Sequence, residues 1–131
     1  MIVLLIIKSQ KRDLLRRSYL MCSDYGMRVN TDKSARRACK ALEEGAFGKI
    51  DEDIVRLLDM YAEIGMSLKQ KLIEPYYLKQ FHGRVLSSLK YSDTIRKEMQ
   101  EKKHLSRCKY QYLELLFKLN YATCFDKTKR T

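Results

Sequence analysis

The side chains best suited to metal or covalent chemistry are two histidines, four cysteines and several close carboxylates. Zinc sites on a helix use H-x-x-x-H or H-E-x-x-H, which set two imidazoles on one face, and neither His82 nor His104 belongs to such a pair. Cys22, Cys39, Cys108 and Cys124 form no C-x-x-C, so neither chelation nor thiol exchange is indicated. They read as small apolar core residues of a reducing compartment, although an even count also allows two disulfides. Gly45-Ala46-Phe47-Gly48-Lys49 lacks the spacing and the Ser/Thr of a phosphate-binding loop and reads as a turn between helices. No G-x-S-x-G elbow occurs. Asp59 and Glu63, four apart, share a helix face and repel unless a cation lies between them, so a basic helix, the first or the second, is expected to dock there. His82, beside Phe81, is expected at the core edge with one nitrogen satisfied, and His104 at the surface where a helix begins. These readings predict a non-enzymatic protein with no catalytic residue, metal, cofactor or small-molecule substrate.

Charge is the stronger signal. The chain carries 27 Lys+Arg against 16 Asp+Glu, a net +11, which suits nucleic acid, anionic lipid or an acidic protein surface. The excess lies at the two ends, while residues 51–73 hold more acids than bases. Candidate contacts to an acidic protein surface or nucleic acid are Arg12, Arg16, Arg17, Arg36, Arg37, Lys40, Lys102 and Lys103, helped by Lys8, Lys11, Lys127, Lys129 and Arg130. Nine tyrosines offer stacking faces, and Lys109-Tyr110-Gln111-Tyr112 interleaves the two kinds. Against this, no helix-turn-helix or RNA-binding motif is present, and Tyr61, Tyr76, Tyr77, Tyr91, Tyr112 and Tyr121 read as residues of a core rim rather than as stacking platforms.

The elements that must position these residues are helices. A 131-residue chain with five glycines and one proline is too poor in turn residues for many strands and too apolar for disorder, and its length suits one domain. Helix one is expected over 4–25, with Leu14, Leu15, Met21, Cys22 and Tyr25 on its apolar side, a basic side of Lys11, Arg12, Arg16 and Arg17, and Gly26 at its end. Asn30, Thr31 or Asp32 caps helix two, which runs to about Glu44 on a narrow stripe of Ala35, Ala38, Cys39 and Leu42, with Gly45 as its left-handed stop. Helix three opens on Asp51, Glu52 and Asp53 and carries Ile54, Leu57, Leu58, Tyr61, Ile64, Leu68 and Leu72 inward, with Gly65 marking a close backbone approach. Pro75 begins helix four, whose buried face is Leu78, Phe81, Val85, Leu86 and Leu89. Residues 93–104 are either a solvated continuation or a loop. Helix five follows from Leu105 or Ser106 to Tyr121, with Cys108, Tyr112, Leu115, Leu116 and Leu119 inward, and 126–131 is a frayed basic tail. Short connections imply an all-α, compact bundle of four to five helices.

The aliphatic run Ile2 to Ile7 is far shorter than the ~18–20 residues that span a bilayer, and lacks a charged lead and a cleavage site, so integral membrane insertion is not expected. It is a buried helical turn, a strand-like arm (residues 1–7) pairing with a partner, or the stump of a longer anchor. A cytoplasmic location is expected.

From Ile54 to Tyr121, the order Leu57-Leu58-Asp59-Met60-Tyr61-Ala62-Glu63-Ile64-Gly65, then Lys71-Leu72-Ile73-Glu74-Pro75, then a Phe81-centred helix, then Tyr110 to Tyr121 resembles an uncharacterised helical family of prokaryotes and phages. Some of its members are described as phage abortive-infection proteins, and many have an N-terminal membrane helix. The resemblance implies a helical bundle and phage or mobile-element biology. The expected function is therefore a small basic interaction protein, with non-sequence-specific DNA or RNA binding as one alternative and a homo-oligomeric bundle, its N-terminal arms packed on other copies, as another.

Overall fold

The computed structural model describes residues 2–45, 48–119 and 121, with side chains from residue 7 onward. Over these residues the chain is all-helical, in the order α1 (Ile2–Thr31), α2 (Lys33–Glu43), α3 (Glu52–Lys69), α4 (Pro75–Lys90), α5 (Asp93–Glu101) and α6 (Arg107–Phe117). The count is six rather than four to five, because 93–101 is a helix of its own. Ser92 caps it by accepting the Ile95 amide at 3.4 Å, and Ile95 and Glu98 turn inward from its two and a half turns. Among the described residues no helix is long and apolar enough to cross a membrane. Residue 1, the centre of the Gly45–Gly48 turn, Cys124 and the basic tail lie outside the described residues.

α1 does not stop at Gly26. It continues to Thr31, about 45 Å in all. Gly26 lies against the His82 ring, 3.7 Å from where a Cβ would stand, so packing holds helical a residue whose propensity says stop. The true break is Asp32 alone, which turns extended and accepts the Ala35 amide at 3.0 Å to start α2. At the other end of α1 the run from Ile2 is helical, which excludes a strand-like arm, and Ile7 is 54% exposed rather than buried. Every residue from Ile7 to Asp13 is exposed, whereas Ser18 is buried and its hydroxyl accepts the Glu74 amide at the head of α4. This stretch of α1 therefore lies off the core.

α3 is the central helix, with nine buried residues facing α2 on one side and α6 on the other. Asp51 caps it through the Ile54 amide at 2.9 Å. It ends at Lys69, one turn short of Leu72, because Lys71 takes a left-handed conformation (φ 60°). The Leu72 amide then donates to Ser67 O and the Lys71 amide to Leu68 O, both at 3.0 Å, the paired closure usually built on glycine. Gly65 does mark a close approach: a Cβ there would collide with the Tyr112 carbonyl, 2.8 Å from its carbon. That contact turns α6 relative to the expected face. Tyr110, Leu113 and Leu116 are buried, Tyr112, Leu115 and Leu119 are half-buried, and Cys108 is exposed. Phe81, expected in the core of α4, is 38% exposed and lies on Tyr19 instead, while His82 takes the inward position. The core draws on all six helices.

Candidate nucleic-acid interface

α2 buries Ala35 and Ala38, and such small side chains let it sit close to its neighbours. Cys39 and Leu42 are half-buried against the core, and the basic side chains face out. Lys33, Arg36, Arg37 and Lys40 line one shallow hollow on its outer side. Arg37 is tied down by a bidentate pair with Asp53 of α3, Nε to Oδ2 at 3.0 Å and Nη2 to Oδ1 at 3.1 Å. Each partner strengthens the other's charge: Arg37 holds the Asp53 carboxyl below its ordinary range, and Asp53 raises the guanidinium. Among the described residues no carboxylate forms an ion pair with Lys33, Arg36 or Lys40.

On α1 the helical advance of about 100° per residue divides the basic side read from sequence. Lys8, Arg12 and Arg16 fall within about 80° of arc, Arg17 lies about 100° beyond Arg16, and Lys11 follows the line of Ser18 but off the end of the core. All are exposed, and no carboxylate is ion-paired with them among the described residues. Tyr19 continues the Lys8–Arg12–Arg16 line and meets two rings of α4, Tyr77 at 5.7 Å and Phe81 at 5.2 Å between centroids. Tyr76 extends the run at 5.2 Å from Tyr77. Sequence pattern does not mark Tyr19 and Phe81 as surface residues. Each stands next to a buried residue, Ser18 or His82, and only the meeting of α1 with α4 leaves them outside.

Lys102 and Lys103 belong to a third place, the α5–α6 turn, and much of their work is structural. Lys102 is left-handed (φ 55°) and its amide donates to Glu98 O at 2.7 Å, while the Lys103 amide donates to Glu98 Oε1 at 2.9 Å. The Lys103 ammonium pairs with Glu101 at 3.3 Å. The eight candidate cations therefore sit on three elements, and Arg16 lies about 24 Å along α1 from the α1–α2 junction.

The groups that suggested chemistry are engaged in packing. His82 is 3% exposed and uses both nitrogens: Nε2–H donates to Cys22 O at 2.9 Å, and the Tyr61 hydroxyl donates to Nδ1 at 3.0 Å. Burial lowers its pKa, offset in part by the Cys22 carbonyl, and so keeps it neutral. Sequence reasoning anticipates one satisfied nitrogen, and Tyr61, a core residue rather than a rim one, accounts for the second. Burial pushes the Cys22 thiol up to about 11, against a hydrogen bond with Ser18. A protonated thiol is a poor nucleophile.

His104 is not simply a surface residue, since its Nδ1 meets Glu98 Oε2 at 2.5 Å. Glu98 Oε1 accepts the Lys103 and His104 amides at 2.9 and 3.2 Å and the Tyr110 hydroxyl at 2.9 Å. Burial alone would raise this carboxyl, but the bonds from Tyr110, His104 and Lys103 outweigh it and hold it low. The cluster pins the turn that separates α5 from α6. The Asp59 carboxylate is met by Lys109 of α6 and, at 3.9 Å, by Arg56, so its cation comes from α6 and its own helix, not from helix one or two. Among the described residues no three His, Cys, Asp or Glu side chains group to hold a metal ion.

What the described surface offers is unpaired positive charge beside exposed rings. Compared with family models, curated proteins and solved structures, the chain finds no match.

Proposed function

We propose that the protein is a non-catalytic binding protein for nucleic acid, holding the phosphate backbone on its cationic helix faces without reading base sequence. The observation that carries this is the uncompensated charge of α2. Lys33 and Arg36 are three apart and Arg36 and Lys40 four apart, so both pairs repel across a helix face. Each pair costs about 0.2–0.5 kcal/mol in the free protein, and among the described residues no carboxylate closes an ion pair with Lys33, Arg36 or Lys40. A polyanion supplies the missing counter-charge, and released counter-ions drive its binding. Arg37 is already paired with Asp53, which leaves Lys33, Arg36 and Lys40 for the phosphates. The likeness read in 54–121 to an uncharacterised helical family of prokaryotes and phages is what suggests a phage or mobile-element setting.

An electrophoretic shift with DNA and RNA at ~50 mM salt tests the reading. The wild-type chain is expected to shift both duplex and single strand, and Lys33→Ala/Arg36→Ala/Lys40→Ala to shift them markedly less. No shift of any nucleic acid would overturn the reading and leave an acidic protein surface as the partner the charge suits.

A further inference from the structure

We infer that the α1–α4 face is a single-strand site, with Lys8, Arg12, Arg16 and Arg84 for the phosphates and Tyr19, Tyr76, Tyr77 and Phe81 as stacking platforms for the bases. The inference rests on the nucleic-acid reading above and narrows it.

The rings form one connected surface. Tyr76, Tyr77, Tyr19 and Phe81 follow one another at centroid spacings of 5.2, 5.7 and 5.2 Å. Their interplanar angles run from 71° to 84°. Edge-to-face contact covers one face of a ring at most, and Tyr76, Tyr19 and Phe81 keep 68%, 46% and 38% of their surface in water. Large side chains are seldom left together in solvent unless something covers them.

Charge selects what covers them. Along α1, Lys8, Arg12 and Arg16 lead in two steps of four and one of three to Tyr19, within a sector that holds no acid. On α4, Tyr77, Phe81 and Arg84 share a face at spacings of four and three, and Arg84 is exposed. The rings are thus flanked by guanidinium groups on both sides. An apolar protein partner would be met by unpaired cations, and a duplex keeps its bases stacked internally, out of reach of tyrosine. A single strand satisfies both, because each nucleotide carries one phosphate and one free π-face. Such recognition tolerates any base, because every base has a π-face.

The test measures the affinity of the full chain, by fluorescence anisotropy, for a labelled oligothymidylate and for a duplex of matched length. The single strand is expected to bind more tightly, with a log Kd against log salt slope near three, from ~0.7 for each of four phosphate contacts. Tyr19→Leu/Phe81→Leu keeps apolar packing but removes two π-faces, and should weaken single-strand binding by roughly 20-fold or more, at ~5-fold or more per lost stack. Tyr19→Phe/Phe81→Tyr keeps the rings and should retain affinity, which separates stacking from folding. Arg12→Ala/Arg16→Ala, both at exposed positions, should lower the slope by about 1.4. If duplex binds and the single strand is not preferred, or if the leucine pair binds it as the wild type does, the inference is overturned while the broader reading stands. If neither nucleic acid binds, both fall.

Discussion

Replacing Arg36 by glutamate should stabilise the free protein while weakening its hold on nucleic acid. Arg36 stands three residues after Lys33 and four before Lys40 on the outer face of α2, with no paired acid. Each like-charge contact costs about 0.2–0.5 kcal/mol and becomes favourable by a similar amount when one sign is reversed. Two contacts therefore swing by roughly 0.8–2 kcal/mol, and the reversed contact with Asp32, four residues before, takes back about half, leaving a net gain of about 0.4–1 kcal/mol that comes mostly from Lys40, because an acid four residues before a lysine is the better orientation. For a domain of this size that raises Tm by about 1–4 °C. Circular dichroism melts of Arg36→Glu at low salt measure it, and the gain should largely vanish near 1 M salt, where the screening length is about 3 Å. Nucleic-acid affinity, read by anisotropy at the same low salt, should fall. A variant that melts lower than the wild type, or binds equally well, would refute the idea that α2 carries strain relieved only by a polyanion.

Gly65→Ala tests the α3–α6 crossing. The added methyl would meet the Tyr112 backbone, 2.8 Å from its carbonyl carbon. An overpacking cost of ~1–3 kcal/mol or more outweighs the ~1 kcal/mol of helix propensity gained, so Tm should drop by several degrees, and a rise would contradict the packing. His82 should make stability depend on pH. Its folded pKa is depressed by burial, so the unfolded chain binds the extra proton and stability falls as pH drops below 6.5, by about 1.4 kcal/mol for each pH unit until the folded value is reached. Urea midpoints at pH 7 and pH 5.5 should differ for the wild type and much less for His82→Gln, and equal wild-type midpoints would sink the account.

The helices themselves are legible in the sequence wherever a stripe and a cap agree. Asp51 with Ile54, Leu57, Leu58, Tyr61 and Ile64 specifies α3, and Ala35, Ala38 and Gly45 specify α2. Misreadings come from residues whose conformation depends on distant partners. Gly26 looks like a stop, yet His82 packs on it within α1. Lys71 and Lys102 end α3 and α5 in the left-handed region, where local preference predicts glycine or asparagine. Glu98 reads as one more surface acid until Tyr110 and His104 are seen bound to it.

The candidate interface is half legible. Arg36, Arg37 and Lys40 do gather on one face, together with Lys33. Arg12 and Arg16 separate from Arg17 by helical rotation, a matter of phase that a list of basic pairs ignores. Tyr19 and Phe81 cannot be placed outside from local pattern, because an aromatic residue next to a buried one serves either side until the neighbouring helix is known.

The most direct test of the central claim is the ionic-strength dependence of nucleic-acid binding by the unaltered chain. Measurable affinity is predicted at ~50 mM salt, falling steeply, by several powers of the salt concentration, toward 200 mM. Affinity indifferent to salt, or none at the lowest concentration, would show that the exposed cations of α1 and α2 do not bind phosphate.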